Sequence, residues 1–214
     1  MQVWNLCCWD KDGGLRATAV ISRNHYCVEI KGYCVTPGSC VIHFYYNQVE
    51  QRRLLGFLLD GVARGEGVVL ASTVDAYETL SEGLEMLGVH RLEHEIMTVE
   101  ITPDLRASIQ TIAAAAKEVL SRDHGYCGRL LCDIGSMVGQ EAIFEFEGSL
   151  SAALSGLSLV SVTQYDGRGF GAPVTIEQFQ THALAIVGTA FFRENRHYTP
   201  PEAYFRKRAA GGHG

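Results

Sequence analysis

Apolar residues recur along this chain with two different periods, and the change from one to the other divides it. Over Val3–Trp9, Leu15–Ser22 and Tyr26–Tyr33, β-branched and aromatic residues recur as in short strands, with turns supplied by Gly13-Gly14 and Arg23-Asn24. The spacing predicts a small antiparallel β appendage over residues 1–36, ended by the turn-rich Thr36-Pro37-Gly38-Ser39. Beyond it, buried strands alternate with amphipathic helices. Val41–Tyr46 reads as a strand, and Val49–Arg64 as a helix whose Leu54, Leu55, Leu58, Leu59 and Val62 share one face before Gly65 caps it. Gly67–Ala71 is a strand and Asp75–Leu87 a helix closed by Gly88; Ile96–Ile101 is a strand and Pro103–Arg122 an alanine-rich helix. The same alternation continues through Leu130–Asp133, a helix around Gln140–Leu154, a strand Leu157–Tyr165, a short helix Ile176–Gln180 and a last buried strand Ala183–Gly188. Five-residue apolar strands alternating with helices point to an α/β fold with a mostly parallel sheet covered by helices.

Composition narrows the function classes. A chain of 214 residues with 47% hydrophobic content can bury one sizeable core, so one main domain over residues 37–205 is expected, with 206–214 as a frayed tail. A formal net charge of −6 removes the long-range attraction to a phosphate backbone, which argues against direct nucleic-acid binding. The longest apolar runs, such as Ala183–Phe192, fall far short of the roughly 20 residues that cross a bilayer. Met1–Asp10 has no basic segment and does not read as a signal peptide, so a cytoplasmic location is expected. Seven cysteines are an odd number and Cys7 and Cys8 are adjacent, a pattern that favours free thiols over a paired framework.

Three stretches occur in a telling order: His43-Phe44-Tyr45-Tyr46, then Leu58-Leu59-Asp60-Gly61-Val62-Ala63-Arg64-Gly65-Glu66, then Thr181-His182-Ala183-Leu184-Ala185-Ile186-Val187-Gly188 leading to Tyr198-Thr199-Pro200-Pro201-Glu202. Their order and spacing resemble the DcmR-like sensory (MEDS) family. The chain departs from that pattern where Ala183 replaces the usual proline, and where the N-terminal hairpin stands in place of the DNA-binding segment some regulators of the family carry. What the resemblance implies is a RecA/KaiC-like core used as a sensory module in signalling and transcription regulation. Such a module binds a small, hydrophobic molecule and relays its occupancy to a signalling partner or within a homodimer, without catalysis and without a membrane.

The chemistry-bearing residues fit that expectation. A RecA-like core would carry its phosphate loop after the first core strand, taken as Val68–Ala71, yet Ser72-Thr73-Val74-Asp75-Ala76-Tyr77 supplies neither the glycines nor the lysine. Leu130-Leu131-Cys132-Asp133 matches a strand that would present a magnesium-binding aspartate, or alternatively one whose Asp133 caps the turn at Gly135-Ser136. Ser72–Asp75, Asp133–Met137 and Gln164–Asp166 should converge at the carboxyl edge of the sheet, where such folds hold ligands. The candidate ligand-binding residues are therefore His43, Tyr45, Ser72, Thr73, Asp133, Tyr165 and His182, with the cofactor unknown. Phe44, Tyr46, Phe170 and Phe191-Phe192 could add apolar lining, and the glycine-rich Asp166–Gly171 could form a loop that covers a ligand. Cys34, Cys40, Cys127 and Cys132 are weak candidates for a soft metal, with Cys7, Cys8 and His43 as companions. Cys7-Cys8 or Cys127 with Cys132 could serve a redox switch, and Cys132 with His182 or His43 a thiol nucleophile. His25, His90, His94, His124 and His197 read as solvated.

Overall fold

The computed structural model describes residues 7–9, 15–17, 26–30, 32–89, 95–122, 127–137, 140–169, 182, 184–192, 199, 203 and 206. The expected helix Ile176–Gln180, Phe170, the Tyr198–Glu202 turn apart from Thr199, the tail past Arg206 and the five solvated histidines lie outside them.

Strand β1 (Cys7–Trp9) pairs antiparallel with β2 (Leu15–Ala17), and β3 (Val28–Ile30) with β4 (Tyr33–Val35), giving two small N-terminal sheets. The single strand expected over Tyr26–Tyr33 is instead a hairpin. Its turn residue Gly32 has φ +78, a conformation that side chains with a Cβ resist. A Cys27–Cys34 disulfide ties the hairpin's ends across a Cα separation of 5.4 Å, which corrects the expectation that every thiol is free. Such bonds persist in oxidising surroundings and are rare in reducing ones. Nor is this hairpin an isolated flap: Val28, Ile30 and Val35 are buried in the main core.

The main sheet is built from β5 (Cys40–Tyr45), β6 (Gly67–Ser72), β7 (Ile96–Glu100), β8 (Gly128–Gly135), β9 (Leu159–Asp166), β10 (Leu184–Val187) and β11 (Ala190–Phe192), in the order β11-β10-β5-β9-β8-β6-β7. Every pairing is parallel except β10 with β11. The fold is therefore α/β with a mostly parallel sheet. Strand β11 was not visible in the hydrophobic pattern; its Phe191 ring stacks on Tyr33 of the hairpin at 4.4 Å.

Helices α1 (Gln48–Arg52), α2 (Leu55–Ala63) and α3 (Val74–Met86) cover one face of the sheet, and α4 (Leu105–Arg122) and α5 (Gln140–Leu154) the other. Alternate strand residues feed two cores: Val41, Val68, Leu70, Leu131, Val160 and Val162 pack under α2 and α3, while Ile42, Val69, Leu130, Cys132 and Ile134 pack under α4 and α5. The single helix expected over Val49–Arg64 is broken at Arg53-Leu54. The break lets both Leu54 and Leu55 enter the core while α1 swings Gln51 over the strand ends. The start of α1 is fixed by reciprocal caps: Asn47 Oδ1 accepts from Glu50 N at 2.9 Å, and Glu50 Oε2 accepts from Tyr46 N at 2.8 Å.

At the amino end of β8, Arg129 is wholly buried. Its guanidinium pairs with Glu66, donates to Asp60 Oδ2 at 2.7 Å and to the Phe57 carbonyl at 2.7 Å, and Tyr26 donates to the same Glu66. Gly61 permits this approach, because a Cβ there would lie 2.8 Å from Arg129 Cδ. Among the described residues no helix is long and apolar enough to cross a membrane.

Candidate functional site

Parallel register places one polar residue from each of five neighbouring strands on a single rung near their carboxyl ends. Glu100 of β7 lies opposite Ser72 of β6, Ser72 opposite Asp133 of β8, Asp133 opposite Gln164 of β9, and Gln164 opposite His43 of β5. Residues on one rung of a parallel sheet point to the same face, here the face covered by α1, α2 and α3. Glu100, on the edge strand, is exposed, whereas the buried Asp133, Gln164 and His43 satisfy one another along the row.

Asp133 is the hub of that row. Its Oδ2 accepts from Gln51 Nε2 at 2.7 Å and from Gln164 Nε2 at 2.6 Å, and its Oδ1 accepts from the Gly135 amide at 3.0 Å and the Tyr45 hydroxyl at 3.3 Å. The far end of Gln164, Oε1, meets His43 Nδ1 at 3.1 Å. Complete burial raises the Asp133 carboxyl to about 6, against the opposing pull of the four hydrogen bonds it accepts. The Tyr45 hydroxyl is raised by its own desolvation and then by the neighbouring Asp133 charge. The bond to Gly135 matches the turn-capping role that the strand-end position of Asp133 suggested.

Above this network lies a cavity of about 440 Å³, walled by the first turns of α1 and α3, the ends of β7 and β9, and the loop after β8. Tyr45 and Gln51 form its floor over Asp133; Thr73, Asp75, Glu100, Gly135, Ser136, Asp166 and Arg168 stand around it. Thr73 caps α3 by accepting from Ala76 N at 3.3 Å. Asp166 holds Arg168 through Nε at 2.8 Å and Nη2 at 2.6 Å, and that side-chain contact lowers the Asp166 carboxyl. The segment Gly167–Gly169 is a 3-10 turn, and the rest of the glycine-rich loop lies outside the described residues.

The seven sequence candidates do not all meet here. Tyr45 and Thr73 line the cavity, Asp133 lies directly beneath its floor and His43 one residue deeper in the network, and Ser72 shares their rung. Tyr165 and His182 belong to the opposite side of the sheet: Tyr165 donates to Glu147 of α5, and His182 Nε2 lies 3.3 Å from the other Glu147 oxygen. The reason is pleating, since Tyr165 directly follows Gln164 and must point the other way. Gln51 and Gln164 were missed as site residues. Their signal was present: Gln164 interrupts an apolar strand, and Gln51 sits in phase with Leu55 and Leu58 on a buried helical stripe.

The first strand of the sheet is β5, not Val68–Ala71, so the segment to inspect for a phosphate loop is Tyr46–Arg53. It too has no glycine and no lysine. The thiol roles fare no better. Cys34 is bound in the disulfide, Cys127 and Cys132 join different cores, and among the described residues no group of three His, Cys, Asp or Glu could hold a metal ion. Burial raises the Cys40 thiol, whose Sγ accepts from Ser161, and raises Cys127 to about 12. Cys132 is raised well above the ordinary thiol range by complete desolvation, then by Glu147 and Asp133, which removes the thiolate a nucleophile needs. The side chains of Cys7 and Cys8 lie outside what the structure describes.

The sequence matches no family model and no curated protein.

Proposed function

We propose that this chain is a ligand-binding module of sensory type, which takes a small molecule at the carboxyl edge of its sheet and relays occupancy through the strands beneath. The observation that carries this reading is the 440 Å³ cavity resting on a buried hydrogen-bond network. Its size suits a small organic ligand, and its place is where parallel sheets hold ligands. A ligand touching Gln51 or Tyr45 acts on Asp133, and through Gln164 on His43 in the middle of the sheet. The resemblance to DcmR-like sensory proteins, with their RecA/KaiC-like core, supports the same role. The absence of glycines and lysine after β5 weighs against nucleotide hydrolysis.

Native mass spectrometry of freshly purified chain, set against its denatured mass, tests this. The expected result is a bound organic mass that disappears in Thr79→Trp, which fills the cavity from α3. A chain that is empty, and that gains no thermal stability from any member of a fragment set, overturns the reading.

A second reading rests on the Cys27–Cys34 disulfide. Reduction by a dithiol donor would transfer two electrons and two protons to the bond, give two thiols and oxidise the donor to its own disulfide. The hairpin that covers part of the core would then keep its strand pairing, its buried Val28, Ile30 and Val35, and the contacts of Tyr26 with Glu66 and Tyr33 with Phe191, but lose its covalent tie.

A further inference from the structure

The hydrogen-bonding sense of the cavity indicates what it takes. Asp133 draws donors towards itself: the only hydroxyl proton of Tyr45 goes to Oδ1, and the Gln51 amide is held with Nε2 on Oδ2. Gln51 is only 4% exposed and lines the cavity, and its Oε1 accepts no hydrogen bond among the described residues. The floor therefore offers the cavity lone pairs, from Gln51 Oε1 and from the Tyr45 oxygen. Around it stand the carboxylates of Asp75, Glu100 and Asp166 against the guanidinium of Arg168, an excess of two negative charges. Arg168 gives Nε and Nη2 to the two Asp166 oxygens, so its positive charge is already set against a carboxylate. The amino end of α3 carries the opposite field, but Asp75 in its first turn answers that with its own carboxylate.

We propose that the ligand is a small amine with an apolar body, bound as its ammonium ion. This deepens the binding-module reading and rests on it. The ammonium donates to Gln51 Oε1 and the Tyr45 oxygen beneath the field of Asp75 and Glu100. The hydrocarbon part lies against Val74, Ile101 and Met137, which also line the cavity. An organic cation fits better than a metal ion, because no three charged ligands converge at coordination distance among the described residues. Phosphate and carboxylate ligands are disfavoured by the excess of two carboxylates around the cavity and by the donors of Tyr45 and Gln51 being turned down to Asp133.

Titration calorimetry at low ionic strength on the whole chain tests this with three probes of similar shape: phenethylamine, phenylethanol and phenylpropionate. Phenethylamine should bind, phenylethanol more weakly, and phenylpropionate not at all. Glu100→Gln, on an exposed edge-strand residue, should weaken phenethylamine about threefold and leave phenylethanol unchanged. Thr79→Trp should abolish binding of both. If phenylpropionate binds instead, and Thr79→Trp abolishes that binding, the amine assignment falls while the cavity reading stands. If phenethylamine binds equally to wild type, Glu100→Gln and Thr79→Trp, it is bound elsewhere and the proposal falls. If no probe binds while native mass spectrometry still finds a cavity-bound organic mass, the amine assignment falls alone.

Discussion

Stability should fall as the pH rises from about 4 to about 6, and Asp133 should account for the fall. In the fold its carboxyl is raised to about 6 by burial, whereas in the unfolded chain it returns to its ordinary value of 3.8. Below the lower value both states are protonated and the native state buries no charge, so this group's contribution is complete. Between the two values the unfolded chain releases a proton that the fold retains, and the contribution drains away. Above the upper value both are ionised and the loss stays constant. A difference of about two pKa units corresponds to about 3 kcal/mol at most. Asp166, whose carboxyl Arg168 lowers, works in the opposite sense, but in the window below its ordinary value.

Asp133→Asn isolates the effect. If its oxygen takes the place of Oδ2 it keeps Gln51 and Gln164 as donors, but its NH2 then faces the Gly135 amide and the Tyr45 hydroxyl, which are donors too. The hydroxyl can rotate away, whereas the Gly135 N–H is left unpaired at about 1–3 kcal/mol. At about pH 7.5 this loss roughly offsets the charge no longer buried, so the variant should match wild type to within about 1 kcal/mol. At about pH 4 the wild type should be the more stable by about 2–3 kcal/mol. Urea unfolding followed by circular dichroism across that range measures both. A wild-type advantage that does not change with pH refutes the reasoning.

Three further outcomes follow from the packing. Arg129→Ala strands Glu66 as an unpaired buried charge and should cost about 3–5 kcal/mol in denaturant unfolding, while Arg129→Met with Glu66→Leu should recover most of it. Opening the Cys27–Cys34 bond with a dithiol, or replacing both residues by serine, should lower stability by about 2 kcal/mol, seen as a lower guanidinium midpoint. Asn47→Ala removes the cap of α1 and should cost about 1 kcal/mol, with earlier proteolysis between β5 and α2 as an independent readout.

How far the sequence speaks depends on how local each determinant is. Strands such as Gly67–Ser72 and helices such as Val74–Met86 carry their period in consecutive residues, and their bounds agree with the pattern to within a residue or two. The hairpin Val28–Val35 was illegible because its turn depends on one glycine and its disulfide on a pairing that spacing does not specify. The site was half legible. Asp133, Tyr45 and His43 stand out as polar or aromatic groups at strand ends. That Asp133 should meet Gln51 and Gln164 follows from strand order and register, which join positions 82 and 31 residues away. The separation of Tyr165 from the rest follows from one residue's difference in phase.

The place of β5 in the middle of the sheet bears on how the chain is made. It is the first strand of the main sheet to be synthesised, yet its two neighbours, β9 and β10, are among the last. His43 meets Gln164 across 121 residues, so at about 5–20 residues per second the ribosome needs roughly 6–24 s to deliver the first of them. Throughout that interval Val41, Ile42, Phe44 and Tyr45 have an open strand edge on both sides, the arrangement most ready to pair with another nascent copy. Soluble yield in cell-free translation should therefore fall as the density of ribosomes making this chain rises, and the loss should begin at a strand that ends up inside the sheet.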